Sequence, residues 1–233
     1  MSFIINPYQF GITFPTIAGL YARYRADLGV TKDGSDKVSQ WDDQSGNARH
    51  LAMATAAYQP LWVASGINSL NTINFDGTDD TLSIASLSQA QPFHAFVVFV
   101  QDTWVDLNAL LVLNQSTDLL VQDHSASPQV YQRFPSDAWA DGVSPTLGTK
   151  YLLQSFFNGT SSFQALNNDA SSTGGNSNSP SLVQITVAQR NHGGGPNQNS
   201  DINVAELAIY TAQITGADLT SLKNYFNARY ALW

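Results

Sequence analysis

The segment Phe93–Val100 reads FHAFVVFV, and seven of its eight residues are apolar. It is too short for most helices, and its apolar residues do not alternate with polar ones. A short continuous apolar run is typical of a strand that is buried on both faces. We therefore predict that Phe93–Val100 is a strand in the interior of a layered β-structure.

Other short apolar or alternating segments flank this strand and are bounded by turn residues. They are Asn71–Phe75, Thr81–Ile84, Leu110–Leu113, Leu119–Gln122, Tyr151–Phe157, Phe163–Leu166, Leu182–Ala188 and Ala205–Tyr210. Helix-forming residues are scarce, with four Lys and one Glu. Many short strands separated by turns predict an all-β, antiparallel β-sandwich. Ile17–Arg25 fits either a strand or a short helix.

The C-terminal segment has a different period. It reads TGADLTSLKNYFNARYAL from Thr215, and its apolar residues fall on one helical stripe: Leu219, Leu222, Phe226 and Tyr230. Thr215 and Asp218 have the spacing of a capping box, with Asp in place of Glu. These features predict a C-terminal amphipathic helix packed on the sandwich.

The chain shows no repeat, linker or charge block that would divide it. We predict a single β-sandwich domain over residues 16–233. Residues 1–15 are either the first strand or an N-terminal arm that adds to a neighbouring subunit. The start has no basic segment followed by an apolar one, so we expect no secretory signal. No apolar run is long enough to predict a membrane span.

The formal net charge is -8, which disfavours binding to nucleic acid or to anionic lipid. The chain has no Cys, and its four His lie far apart in the sequence. A zinc site needs such ligands close together, so none is expected.

Three motifs in order carry a family resemblance. Val38–Asn47 reads VSQWDDQSGN, Asn74–Asp80 reads NFDGTDD, and Val204–Tyr210 reads VAELAIY ahead of the predicted helix. Together they resemble the laminin-G-like, concanavalin A-like modules of bacteria and bacteriophages. The resemblance implies a concanavalin A-like jelly roll. Residues 100–150 contribute nothing to it.

The same resemblance bears on catalysis. Enzymes of this fold that cut β-glucans resemble one another in a Glu-x-Asp-x-x-Glu strand, whose carboxylates do the chemistry. This chain has the single glutamate Glu206 and cannot form that motif. We therefore expect that the protein is not an enzyme. Glu206 has a structural interpretation instead: it faces the predicted helix, or it pairs with an arginine.

Two tryptophans are candidates for carbohydrate binding. Trp104 and Trp139 lie in the polar contexts DTWVD and DAWAD, and exposed aromatic rings stack on sugar rings. Burial in a subunit interface is an equal alternative for both.

Three aspartates are candidates for metal binding. Asp76, Asp79 and Asp80 offer hard oxygens over a short turn, as calcium requires. A solvated turn that shields a sheet edge is the alternative. No other cofactor is expected.

Together, the resemblance and the absence of a leader predict a non-enzymatic bacteriophage virion protein, assembled in the host cytoplasm. A capsid decoration protein or a tail or fibre accessory module with glycan binding is expected, and decoration is slightly favoured because no fibrous segment occurs. The alternative is a free carbohydrate-binding lectin domain. Expected partners are other virion proteins, copies of the chain in a homo-oligomer, and a host-surface polysaccharide.

Overall fold

The computed structural model describes residues 11–117, 119–123, 129–134, 138–139, 142–175, 177, 179–190 and 198–233. Over these residues the chain forms two β-sheets that pack face to face, with one α-helix, α1 (Gly216–Tyr230), near the C-terminus. The predicted β-sandwich with a C-terminal helix is confirmed.

The strands are short and come from the whole described chain. In order they are β1 (Leu20–Arg25), β2 (Val30–Lys32), β3 (Val38–Trp41), β4 (Leu51–Ala52), β5 (Leu61–Ile67), β6 (Leu70–Asp76), β7 (Leu82–Ile84), β8 (Phe93–Gln101), β9 (Ala109–Asn114), β10 (Leu119–Asp123), β11 (Val130–Phe134), β12 (Ala138–Trp139), β13 (Lys150–Phe157), β14 (Phe163–Leu166), β15 (Ser172–Thr173), β16 (Ile185–Val187), β17 (Gln189–Arg190), β18 (Gln198–Asn199) and β19 (Asp201–Tyr210). Two short 3₁₀ helices, η1 (Ala56–Tyr58) and η2 (Gln115–Thr117), lie between strands.

One sheet, the helix-side sheet, has the strand order β15-β14-β13-β8-β19-β6-β5, with β1 also paired to β19. The predicted strand, β8, lies at its centre. Phe93, Val97 and Phe99 belong to the core between the two sheets. Phe96 and Val98 belong to a separate core on the opposite face, against α1. Burial on both faces is therefore confirmed, because each face of this strand contacts a different layer.

The second sheet has the order β12-β11-β10-β9-β16-β7-β4-β3-β2, and β18 adds to β9 in parallel. Its inner face supplies Leu51, Leu82, Leu111 and Val187 to the core between the sheets. Its outer face does not meet α1, which packs on the helix-side sheet.

The helix α1 buries the predicted stripe against the helix-side sheet. Leu222, Phe226 and Tyr230 are buried there, and Leu219 is partly buried. The predicted capping box is wrong, because Thr215 is the N-cap residue but its side chain makes no cap hydrogen bond. The buried apolar face of the helix, rather than a side-chain cap, therefore holds it in place.

A buried charge network joins α1 to the helix-side sheet. A β-bulge between Val204 and Glu206 accompanies the placement of Glu206 on the helix side, where it is fully buried. Arg23 Nε donates to Glu206 Oε1 at 2.7 Å, and the hydroxyls of Tyr225 and Tyr230 donate to Oε2 at 2.9 and 2.7 Å. Both structural interpretations of Glu206 hold: it faces the helix and it pairs with an arginine.

The ambiguous segment Ile17–Arg25 contains a strand, because β1 pairs antiparallel with β19. The preceding residues 12–18 form no helix or strand, and Phe14 packs edge-on against Tyr225 with ring centroids 5.0 Å apart. Residues 1–10 lie outside the described part, so their role as an arm stays a prediction. No helix in the described part is both long and apolar enough to cross a membrane.

We expect Glu206→Ala to destabilise the protein strongly, because it leaves the Arg23 guanidinium buried without its ion-pair partner. Removing one partner of a buried ion pair costs about 3 to 5 kcal/mol, and a urea titration measures that loss. Asn224→Ala, at an exposed position of α1, is the control and should change the unfolding free energy by less than about 0.5 kcal/mol. Equal stability of the two variants would contradict the assigned network.

Candidate functional site

The outer face of the second sheet carries a row of paired residues. Gln40 pairs with Ala52, Ala52 with Ser83, Ser83 with Thr186, and Thr186 with Val112. Directly paired residues in an antiparallel sheet share one face. The neighbours of Ser83 and Thr186 along their strands belong to the core or pack against it. This row therefore faces away from the core.

A cavity of about 310 Å³ lies over the middle of this row, and we name it the outer groove. Its polar lining residues are Thr81, Ser83, Gln115, Gln184, Thr186 and Gln189. Its apolar lining residues are Met53, Ile84 and Ala85. Among the described residues that line it, the groove combines amides and hydroxyls with a small apolar surface, and none of these side chains is charged.

Internal hydrogen bonds orient the side chains of the outer groove. Gln184 Nε2 donates to Thr186 Oγ1 at 3.0 Å, and the Thr81 hydroxyl donates to the Val187 carbonyl at 3.0 Å. Thr186 is 9% exposed and lies at the bottom of the groove, whereas Val112, next in the row, is fully buried. The groove is therefore closed on the Val112 side and has a fixed polar floor.

Sequence reasoning missed the outer groove, although it located both of its strands. Ser83 lies between Leu82 and Ile84, and Thr186 lies between Ile185 and Val187. A polar residue between two apolar ones in a strand is the expected signal of an outward position. The signal does not show which outward residues become neighbours, because β7 and β16 are far apart in the chain.

The two tryptophan candidates lie elsewhere in the fold. Trp104 follows β8, is partly buried, and packs against the core between the sheets. Trp139 is in β12 and pairs with Arg133 at the edge of the second sheet, and its side chain lies outside what the structure describes. Trp104 does not line the outer groove. The role of both tryptophans in carbohydrate binding stays a prediction.

The buried carboxyl group of Asp123 lies beside the loop that carries Trp104. Gln101 Nε2 donates to Asp123 Oδ2 at 2.6 Å. The Asp123 backbone exchanges hydrogen bonds with the loop at Leu107 (3.0 Å) and Asn108 (2.9 Å). Burial raises the pKa of Asp123 to about 8. At neutral pH this carboxyl group therefore retains its proton, and it borders the loop as a neutral group.

The turn Asp76–Asp80, which we name the aspartate turn, brings the predicted metal ligands together. Carboxylate oxygens of Asp76, Asp79 and Asp80 all lie within 4.8 Å of one another. Asp76 Oδ1 accepts a hydrogen bond from the Thr78 backbone N–H at 2.8 Å. Gly77 has φ +73°, and a Cβ there would lie 2.9 Å from the Asp201 Cβ. Only glycine fits this position without strain.

The aspartate turn places three carboxylates close together, and one of them, that of Asp80, is buried. Burial, together with the nearby Asp76 carboxylate, raises the pKa of Asp80 to about 6. Asn199 donates from Nδ2 to the Thr78 carbonyl and is 3% exposed. Its Oδ1 is buried and has no hydrogen-bond partner within the described part of the chain. Carboxylate and amide oxygens are ligands that calcium prefers, so this donor set fits that ion.

No known family model matches this chain, and no curated protein matches it. Solved structures do match, and their identities of 12 to 14% show the fold alone.

Three solved structures illustrate this likeness. A Trypanosoma rangeli sialidase in complex with sialic acid superposes with TM-score 0.62 and 14% identity, covering 91% of this chain and 33% of the sialidase. Domain 4 of the arabinanase AbnA from Geobacillus stearothermophilus, in complex with arabinotriose, gives TM-score 0.60 and 13% identity, covering 88% of this chain and 98% of that domain. The binding domain of Paraclostridial Mosquitocidal Protein 1 gives TM-score 0.61 and 14% identity, covering 89% and 52%.

The sialidases correct the expectation that this protein is not an enzyme. That expectation depended on the missing Glu-x-Asp-x-x-Glu strand, yet sialidases contain this fold. Glycoside hydrolysis does not always use a carboxylate pair, because some enzymes use a tyrosine nucleophile. Counting glutamates was therefore the wrong criterion. The chain spans about a third of the sialidase length, and the likeness shows no activity for it.

We expect Asp123→Asn to flatten the pH dependence of stability. The native state keeps this proton up to pH about 8, whereas the unfolded chain loses it near pH about 3.9. Between these values the native state binds more protons, so Asp123 makes stability fall as pH rises. The variant should therefore be more stable than the wild type at pH 9 and similar to it at pH 4, as measured by urea titrations. The exposed Asp169→Asn is the control, and the same profile for both variants would contradict this assignment.

Proposed function

We propose that the protein is a carbohydrate-binding domain and that its ligand lies in the outer groove. The observation that carries this proposal is the outward row Ser83–Thr186, which lies under a cavity lined by amides, hydroxyls and a small apolar surface. Ser83 and Thr186 belong to paired strands, whereas Gln115 lies in η2 and Gln184 just before β16.

The chemistry of the outer groove suits sugar hydroxyl groups. A sugar hydroxyl both donates and accepts hydrogen bonds, and so do the side chains of Ser, Thr and Gln. Met53 and Ile84 offer apolar contact to the C–H surface of a sugar ring. The cavity of about 310 Å³ is near the lower end of the range for ligand sites, roughly 300 to 1,000 Å³. A short oligosaccharide or the end of a longer one is the ligand of suitable size.

The arabinanase domain supports the proposal at the level of fold. That domain is described in complex with arabinotriose, and this chain covers 98% of it. A domain of this size and architecture therefore holds a short oligosaccharide without a larger enzyme around it. The position of the sugar on this chain is argued from the outer groove and not from that likeness.

We expect Thr186→Ala and Gln184→Ala each to weaken oligosaccharide binding about fivefold, because a lost ligand hydrogen bond costs on the order of 1 kcal/mol. A glycan array should identify a ligand, and titration calorimetry should then measure its affinity. Thr220→Ala, at an exposed position of α1, is the matched control and should bind as the wild type does. Binding that survives in both groove variants but is lost in Trp104→Ala would contradict the assignment of the ligand to the outer groove. It would support binding at the loop that carries Trp104 instead.

We also propose that the aspartate turn binds calcium through Asp76, Asp79 and Asp80, with Asn199 as a further oxygen ligand. The unpartnered, buried Asn199 Oδ1 and the close carboxylates support this proposal. Burial and the Asp76 carboxylate raise the pKa of Asp80, and a bound cation would balance the negative charge of this turn. It would also fix the connection between β6 and β7, and β7 carries Ser83 of the outer groove.

We expect millimolar calcium to raise the melting temperature of the wild type and to leave that of Asp80→Asn unchanged. Calcium needs ionised carboxylates, and the pKa of Asp80 is about 6. The calcium-dependent increase should therefore be larger at pH 7.5 than at pH 5. Asp218→Asn, which removes an exposed carboxylate from α1, should behave as the wild type. An equal calcium response in the Asp80→Asn and Asp218→Asn variants would contradict the site.

The setting of the domain is a separate proposal. The motif resemblance favours a module attached to a bacteriophage particle, as a capsid decoration or a tail or fibre accessory protein, and a free lectin is the alternative. The compared structures are not described as bacteriophage proteins. Immunogold electron microscopy of the source particle should label the virion if the first setting is correct, and should leave it unlabelled if the second is.

A further inference from the structure

We propose that the outer groove selects neutral sugars over sugars that carry a carboxylate or a sulfate. This inference rests on the proposed function and names the class of ligand for that site. It starts from the observation that the described polar residues lining the groove are three glutamines, two threonines and one serine, all of them uncharged.

An anionic sugar would lose solvation in the outer groove without gaining a cation. Carboxylates and sulfates are bound in proteins chiefly by arginine and lysine, whose charge offsets the cost of removing the anion from water. Thr186, at the bottom of the groove, is 9% exposed, so a group bound there gives up most of its contact with water. Amide and hydroxyl side chains cannot balance a full negative charge.

The arginines near the outer groove are directed elsewhere. Arg190 follows the lining residue Gln189, but it is 1% exposed and its guanidinium donates to Gln198 at 2.8 Å. Arg133 lies further along the same row, beyond the fully buried Val112 that closes the groove. Neither guanidinium lines the cavity.

The net negative charge of the whole chain also disfavours binding of anionic sugars. A formal net charge of -8 repels an acidic polysaccharide as it approaches, and the repulsion weakens with added salt. A neutral ligand experiences no such repulsion. Its affinity for the outer groove should therefore be almost independent of ionic strength.

The hydrogen bonding within the groove also matches a neutral hydroxyl. Thr186 Oγ1 accepts from Gln184 Nε2, which leaves the Thr186 hydroxyl proton to donate to a ligand. The carbonyl oxygen of a glutamine side chain accepts a hydrogen bond from a ligand hydroxyl. A sugar hydroxyl supplies a donor and an acceptor at once, whereas an ionised carboxylate only accepts.

Matched pairs of oligosaccharides test the inference on the full chain. Galactose oligomers and galacturonic acid oligomers of equal length differ chiefly in the carboxylate, as do lactose and sialyllactose in the added acidic sugar. Titration calorimetry at low and high salt should show the neutral member of each pair binding at least tenfold more tightly, with an affinity that salt does not change. Thr186→Ala should weaken that binding about fivefold.

The binding results distinguish a failure of neutral-sugar selectivity from a failure of the proposed carbohydrate site. Equal or tighter binding of the acidic members, weakened in Thr186→Ala, would overturn the neutral selectivity and leave the sugar site in place. If neither member of a pair binds and a broad glycan array shows no ligand, the proposed function is overturned and this inference with it.

The variant Gln184→Lys independently tests whether the absence of positive charge in the outer groove causes the preference for neutral sugars. Placing one positive charge in the outer groove should strengthen binding of the acidic member at least tenfold and weaken that of the neutral member. The melting temperature of the variant confirms that it is folded. An unchanged preference in this folded variant would overturn the inference, because the charge of the groove would then not decide selectivity.

Discussion

The helix-side sheet has to be covered on both faces, and the rest of the molecule follows from this constraint. Its central strands β8 and β19 place apolar side chains on both sides. Apolar surface on each side is stabilised only by a second layer, which the second sheet supplies on one side and α1 with Phe14 on the other. The outer face of the second sheet is then the sheet face that remains for a ligand, and the outer groove lies on it.

Three buried acids, in the helix-side sheet, the second sheet and the aspartate turn, are accommodated in different ways. Glu206 lies in the covered face but has a guanidinium and two hydroxyl donors, so its charge is matched at short distances. The Asp123 carboxyl group accepts from the Gln101 amide and from the Val105 backbone N–H, yet burial still raises its pKa to about 8. Asp80 shares its turn with other carboxylates, and its pKa is about 6. The Glu206 network therefore stabilises the packing of α1 on the sheet. The aspartate turn instead keeps an uncompensated negative charge, which favours binding of a cation.

The correction about catalysis has a general cause. A fold determines how layers pack, whereas activity depends on a few side chains placed on that fold. The same architecture occurs in a sialidase, in a domain complexed with arabinotriose and in the binding domain of Paraclostridial Mosquitocidal Protein 1. A motif that is missing from one enzyme class on this fold therefore says little about the others. The uncharged lining of the outer groove is more informative, because it is a property of this chain itself.

The sequence by itself determined the sandwich, the central strand Phe93–Val100 and the C-terminal helix, because these depend on short-range apolar periodicity. It also brought Asp76, Asp79 and Asp80 together, since all three lie within one turn. Only the tertiary structure decided that Ser83 and Thr186 are neighbours and that Glu206 meets Arg23 and Tyr230. Those contacts depend on strand register and layer packing between segments far apart in the chain. Local sequence patterns indicate which face of a strand or helix a residue occupies, but long-range pairing decides which residues are its neighbours.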